Sequence, residues 1–369
     1  MHVHRFRLMR WPPIVLAALL TNSAAHADAG TDLKILNDAG DAAAPLIRQA
    51  RHLMGTICTV AVQDTDENRV DQAATAAFAE MSRLEALMTT WRPTSDVSRV
   101  NAAAGRQSVV VAPETFAVIK QALWIAKLSD GAFDITVGAF SGLWKFDEDN
   151  DGSIPTTAAV RDRLRLVNWR DVLVDTKTRA VRLRRPGQRI TLGGIAKGFA
   201  VDAAVATLRS HGLQNFIVQC GGDMFAAGLH ANRPWRVGIQ DPRMPPANSP
   251  NPAASIGTVA LSNQAFNTSG DYERFVIRNG RRYHHILDPK TGYPVDHTRA
   301  VSILAPSSFL ADTVDTTVFV LGARRGLALL RHHEIANVDG LVVDAHNQVH
   351  ISPGFKPKLT ELRPPTDGL

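Results

Sequence analysis

Cysteine is almost absent: Cys58 and Cys220 are the two among 369 residues. Neither has a second cysteine at ligand spacing, which argues against zinc and excludes a small disulfide-stapled scaffold. No run of Lys or Arg occurs, and Arg5, Arg7 and Arg10 of the net +6 stand in an N-terminal export-like stretch, so nucleic acid is not an expected partner. Long apolar runs are missing too. The N-terminal segment WPPIVLAALL is about ten residues, well short of the ~20 that cross a bilayer. No repeat recurs at a fixed period, which removes solenoids and propellers from consideration.

What is present is a 40.0 kDa chain, 45% apolar and 21% charged, enough for one large domain or two smaller ones with a packed core. Residues 1–27 read as a secretory signal: a basic start, a short apolar stretch, and the small-x-small site Ala25-His26-Ala27. No cysteine lies near that site to accept a lipid, so the expectation is a processed chain free in the periplasm of a bacterial envelope, with no membrane span in its mature form. A polar, Ala-rich leader then covers 28–50, a single domain 51–360, and a tail 361–369. The two cysteines sit in TICTVAV and NFIVQC, apolar runs of the kind that form buried strands, and are expected as buried thiols, although an oxidising compartment permits a disulfide.

Periodicity fixes several elements. Val70, Ala74, Phe78, Met81, Leu84 and Met88 recur at three and four, which predicts an amphipathic helix from Asp66 to Met88. A second helix opens at Pro113 with Phe116, Ile119 and Leu123 on one stripe, and a third follows the glycines at 193 and 194 and stops at Gly212. MGTICTVAV, DVLVDT, AVRLRR, FIVQC, WRVGI, VAL and VSILA read as strands, and the proline-rich stretch 244–254 as a surface loop. The irregular alternation points to an α+β fold in which a mixed sheet packs with helices, rather than a Rossmann unit.

Chemistry concentrates in a few places. In ADTVDTT a helix would bring Asp312, Asp315 and Thr316 to one face, an all-oxygen set suited to Mg²⁺ or Ca²⁺; a solvated face with a capping Asp fits the same spacing. TLGGIAKG opens a helix with glycines and Lys197, which suits a phosphate, but it is neither a P-loop nor G-x-G-x-x-G, and taken alone it reads better as a structural turn. YHHILDPKTG carries two histidines and Asp288 before a turn, and NTSGDY and DGAFD read as polar turns. Asp147, Asp149, Asp151 and Gly152 match half of a calcium loop, yet position 12 is Ala158 where a bidentate Glu is required, so a solvated acidic loop is expected there.

In order along the chain, MGTICTVAV, TTWRPTSDVSRVN, DGAFDITVGAFSGLWKF, TLGGIAKGFAVD, VQCGGDMFAAG, NTSGDYERF, YHHILDPKTGYPV and ADTVDTTVFVLG together resemble the ApbE family of FAD:protein FMN transferases. The likeness covers roughly Arg51 to Leu359. It implies a single large ApbE-like domain that cleaves the FAD pyrophosphate, passes the FMN phosphoryl group to a Thr hydroxyl of a target protein and releases AMP. It places Mg²⁺ on Asp312, Asp315, Thr316 and the Gly194 carbonyl. Around FAD it places Met54, Trp91, Ala132, Phe133, Asp134, Thr191, Lys197 and Ile286, with Trp91 suited to stacking on a flavin or adenine ring. His285 matches the family's histidine and is the candidate base, while Asp288 shapes the turn or orients its neighbours. The implied partner is a Thr-containing, exported respiratory electron-transfer subunit.

Three features depart from the family pattern: Thr191 stands where many members carry Asp, the lipobox is missing, and His284 replaces a smaller polar residue. Two other functions share these residues. One is an FAD pyrophosphatase with water as acceptor, and the other is a periplasmic FAD carrier without turnover. Both carboxylates and Lys197 are present, which favours catalysis over storage.

Overall fold

A computed structural model describes residues 44–146, 150–243 and 255–368. The signal segment, the leader up to residue 43, Asp147 and Asp149 of the calcium-like motif and the proline-rich loop 244–254 lie outside the described residues.

The described residues open with β1 (Leu46–Leu53) and β2 (Thr56–Gln63), then α1 (Glu67–Met88), α2 (Asp96–Ala102), β3 (Val109–Val110) and α3 (Pro113–Leu128). After α4 (Thr157–Leu164) come β4 (Val172–Asp175), β5 (Ala180–Leu183), α5 (Ala196–Ser210), β6 (Phe216–Cys220), β7 (Asp223–Ala227), β8 (Trp235–Gln240) and β9 (Ser255–Leu261). The remainder is β10 (Gln264–Gly270), β11 (Phe275–Arg278), β12 (Arg281–His284), β13 (Thr298–Ala305), α6 (Ser308–Leu329), β14 (Asp339–Asp344), β15 (Val349–Ile351) and β16 (Leu359–Thr360).

Eight strands form the main sheet in the order β1-β2-β6-β7-β10-β13-β14-β15, so neighbours in space follow each other in chain order. Every ladder between these strands is antiparallel, which corrects the expected mixed sheet. The α+β class holds. The helices lie in excursions that return each strand antiparallel to its predecessor, so they produce none of the parallel crossovers of a βαβ unit.

The sheet is buried on both faces, and the alternation of its strands shows how. Val60, Val62, Phe216, Val218 and Cys220 enter the core shared with α1, α5 and α6, whereas Ala61 and Ile217 enter a second core with Trp235, Val237, Ile239, Val259 and Phe355. All six periodic positions of α1 are buried, and Asp66 caps its start by accepting from Arg69 N at 3.0 Å. α5 lies between α1 and α6 and carries the glycine loop to the middle of the sheet.

Two boundaries and the state of the cysteines differ from expectation. The domain reaches back to Leu46, because residues 46–53 pair with β2 over their whole length. Residues 361–368 are pinned rather than a loose tail: Arg363 N donates to Ile256 O at 2.7 Å and Thr366 Oγ1 to Asp241 Oδ2 at 2.6 Å. Cys58 and Cys220 stand directly opposite each other in the β2–β6 register and form a disulfide, in place of the buried thiols expected. No helix among the described residues is long and apolar enough to cross a membrane.

Candidate active site

The glycine loop and α6 converge because Gly198 permits it. Its N–H donates to Asp312 Oδ2 at 2.7 Å, and a Cβ there would lie 2.3 Å from Ser308 O, so only glycine lets α5 approach α6 so closely. The start of α6 is fixed by Asp202, which accepts from Ser308 N and Phe309 N at 2.9 Å each. One turn on, Asp312 and Asp315 are buried and Thr316 is half-buried beside the loop: a methyl on Gly194 would lie 3.9 Å from Thr316 Oγ1 and 3.6 Å from Phe133 Cε2. Gly194, Phe133, Asp312, Asp315 and Thr316 thus share one locus.

A third carboxylate joins them. Asp223, the first residue of β7, brings an oxygen within 4.8 Å of oxygens from Asp312 and Asp315. The tight β6–β7 turn delivers it: Gly222 packs on the β10 backbone so closely that a Cβ would meet Thr268 O at 2.2 Å. Lys197 bridges the group, bonding Asp223 and lying 3.9 Å from Asp312 Oδ1. Burial opposes the Lys197 ammonium, but the attraction of Asp223 and Asp312 prevails and holds its pKa above the ordinary lysine value. The carboxylate pKa values are raised as well, which for an acid disfavours the charged form. Burial raises all three, and mutual repulsion adds to it at Asp223 and Asp315, with Asp315 well above the usual range.

The remaining candidates fall around this centre. Met54 (φ 55°) sits in the β1–β2 turn, next to the β6–β7 turn through Gly221 N→Ile57 O at 3.1 Å. Thr191 takes a backbone bond from its own N to Ile135 O at 2.9 Å, and its hydroxyl accepts from Gly193 N at 3.3 Å. Asn101 of α2 brackets the preceding residue, exchanging bonds with Ile190 O and N at 2.9 and 2.7 Å. Ala132 and Ile286 are buried. The Asp134 carboxylate is engaged within the protein, Oδ1 accepting from Thr136 N and Oγ1 and Oδ2 from Trp169 N, so it ties its own loop to the segment at Trp169. Trp91 follows α1 and is 79% exposed, and no ring stacks on it among the described residues.

The two histidines separate cleanly. His284 is buried; its Nε2 donates to Val295 O at 2.6 Å and its Nδ1 accepts from Ile286 N at 3.3 Å, which accounts for an imidazole at this position. His285 is half-buried with Nδ1 3.4 Å from Arg274 O, which assigns the proton to Nδ1 and leaves the Nε2 lone pair free to accept one. Burial, reinforced by Arg274 and His284, holds its pKa well below 6.5. Asp288 shapes the following turn by accepting from Lys290 N at 2.8 Å. Asn267 and Thr268 lie in β10 rather than in a turn, and Asn267 touches the site: its Nδ2 donates to Asp223 Oδ1 at 2.6 Å. Asp223 and Asn267 were missed because neither shares a helical spacing with another site residue; the glycine pair before Asp223 is the one local signal.

Residues 54–338 match the ApbE family. The chain belongs to the ApbE family. It is similar to a protein of Treponema pallidum named FAD:protein FMN transferase, 35% identical over 85% of this chain and 89% of that one. A Klebsiella pneumoniae protein of the same name is 32% identical over 81% and 90%. Among solved structures, the ApbE protein of Thermotoga maritima aligns with a TM-score of 0.76 and 31% identity, covering 85% of this chain and 99% of that one. The flavin transferase ApbE of Vibrio cholerae aligns with a TM-score of 0.74 and 26% identity over 85% and 100%. These ApbE structures share the architecture described above.

Proposed function

We propose that this protein is an FAD:protein FMN transferase that works with Mg²⁺, moves FMN from FAD to a Thr hydroxyl of a target protein, and releases AMP. The observation that carries the reading is the convergence of a glycine loop, Lys197 and buried carboxylates in a chain whose ApbE relatives bear that activity as their name. The site also suits the metal. Three carboxylates against one ammonium leave two negative charges unmatched, which one divalent cation balances, and the buried Asp315 Oδ2 has no hydrogen-bond partner. Asp312, Asp315, Thr316 and the Gly194 carbonyl would hold Mg²⁺ through oxygen alone. Bound there, it supplies charge neutralisation on the FAD diphosphate.

The chain's own groups do the rest. Lys197 places a positive charge against a diphosphate oxygen, and Met54, Trp91, Ala132, Phe133, Asp134, Thr191 and Ile286 border the flavin nucleotide. His285 Nε2 takes the proton of the acceptor Thr as its oxygen bonds the FMN phosphorus; the bond from that phosphorus to the AMP oxygen breaks and AMP departs. On the export segment we place the enzyme in the bacterial periplasm, with an exported electron-transfer subunit as target. Incubation of the purified protein with FAD and Mg²⁺, with and without a Thr-bearing acceptor domain, tests this. Transfer gives AMP plus a flavin-labelled acceptor; AMP whether or not acceptor is present, with no label, means a pyrophosphatase, and neither product means a carrier.

A further inference from the structure

The three clustered carboxylates are not equivalent. Asp315 has an oxygen with no partner, whereas both oxygens of Asp223 are engaged by nitrogen donors, Oδ2 by Lys197 and Oδ1 by Asn267. Asn267 is itself locked. Its Nδ2 also donates to Ser308 O at 3.1 Å, and its Oδ1 accepts from Ser308 Oγ at 3.1 Å and Met224 N at 3.2 Å. Asp223 and Asn267 are both buried, on adjoining regions of β7 and β10. A carboxylate held on one side by a rigid amide and on the other by an ammonium fixes where that ammonium sits. Lys197 is a flexible four-carbon stem in the first turn of α5, and Asp312 lies too far, at 3.9 Å, to hold it alone.

We infer that Asp223 is a positioning residue of the reaction: with Asn267 behind it, it anchors the Lys197 ammonium at the edge of the carboxylate cluster, and it is not itself a ligand of the metal. The inference rests on the reading that Lys197 meets the FAD diphosphate. A mobile lysine would still bind an anion, but without a defined direction, so the geometry matters more to turnover than to folding.

A double-mutant cycle tests it. Asp223→Asn is expected to lower FMN transfer about 10–100-fold and weaken FAD binding, measured by flavin fluorescence, while the Mg²⁺ concentration for half-maximal rate shifts less than threefold. In a Lys197→Met background the same change should cost less than threefold, because the group it positions is gone. Losses that multiply in that background, or a tenfold shift in the Mg²⁺ requirement, would overturn the positioning role and make Asp223 a ligand or a structural carboxylate. If Asp223→Asn alone does not fold, the half-buried lysine left unpaired is the expected cause. The double variant should then fold with the activity of Lys197→Met, and a double variant that stays unfolded also defeats the inference. Lys197→Met with unchanged FAD affinity and rate would instead remove the reading of Lys197 on which this rests.

Discussion

Gly198 and Asp312 are joined at a distance only glycine allows: the N–H of one donates to Oδ2 of the other at 2.7 Å, and a Cβ on Gly198 would lie 2.6 Å from Asp312 Cβ. Asp312 therefore serves two purposes, as a carboxylate of the site and as the seam between α5 and α6. Gly198→Ala forces the helices apart. A stability loss of about 1–3 kcal/mol is expected from overpacking, with a loss of Mg²⁺-dependent AMP release larger than the fraction unfolded explains. Thermal melts and AMP assays on one preparation check this; an alanine variant with wild-type values of both would show that the seam tolerates displacement.

Mg²⁺ should stabilise the protein more at higher pH. Asp312, Asp315 and Asp223 have folded-state pKa values raised above their unfolded values near 4, so their contribution is fully present only below that point and is lost as pH rises through the raised values. Mg²⁺ replaces the protons and relieves that loss. At ~100 times its Kd the ion adds about 2.7 kcal/mol. Melting temperatures with Mg²⁺ and with EDTA should separate progressively from pH 5 to pH 8, and Asp315→Asn should flatten the trend. Equal separation across that range would remove the metal from this cluster.

The sequence was most legible where a single element carried its own periodicity. α1 reads directly from six apolar positions, and Asp312, Asp315 and Thr316 could be grouped because one helix sets their spacing. Asp223 and Asn267 were hidden for the converse reason. Their meeting depends on the β7–β10 neighbourhood and a two-glycine turn, relationships between segments some 44 residues apart that no local pattern encodes. The disulfide was hidden likewise, since pairing Cys58 with Cys220 requires the β2–β6 register. His284 could be noticed but not explained, because its partner is a backbone carbonyl at Val295.

Asn101 offers a test of how the glycine loop is held. Its side chain exchanges two bonds with the backbone of Ile190, immediately before Thr191. Asn101→Leu leaves a buried N–H and C=O unpaired, at about 1–3 kcal/mol each. FAD affinity should fall with the loop's register even though Asn101 is not itself expected to touch FAD. Asn101→Asp, which can still accept from Ile190 N, should retain more affinity than the leucine variant; the reverse order in a fluorescence titration would contradict this account.

The adjoining histidines should part company under substitution. His285 is positioned by Arg274 O and kept neutral by burial beside Arg274, so its ring is ready to accept a proton at pH 7 and becomes unable to only as pH falls through a pKa well below 6.5. The ascending limb of the pH–rate profile should therefore lie on the acid side of 6.5. His285→Ala should remove that limb and lower FMN transfer by ~10²–10⁴-fold with FAD affinity little changed. His284 is buried against Val295 O and Phe319, so His284→Ala should act through stability, at about 1–3 kcal/mol for the carbonyl it strands, while the folded fraction keeps its limb and most of its rate. His284→Gln, which can still donate to Val295 O, should recover part of the stability. Should His284→Ala abolish the limb and His285→Ala leave it in place, the proton passes through the other ring. The carboxylate of Asp315, the most strongly raised of the cluster, would be the next base to test if neither variant changes the profile.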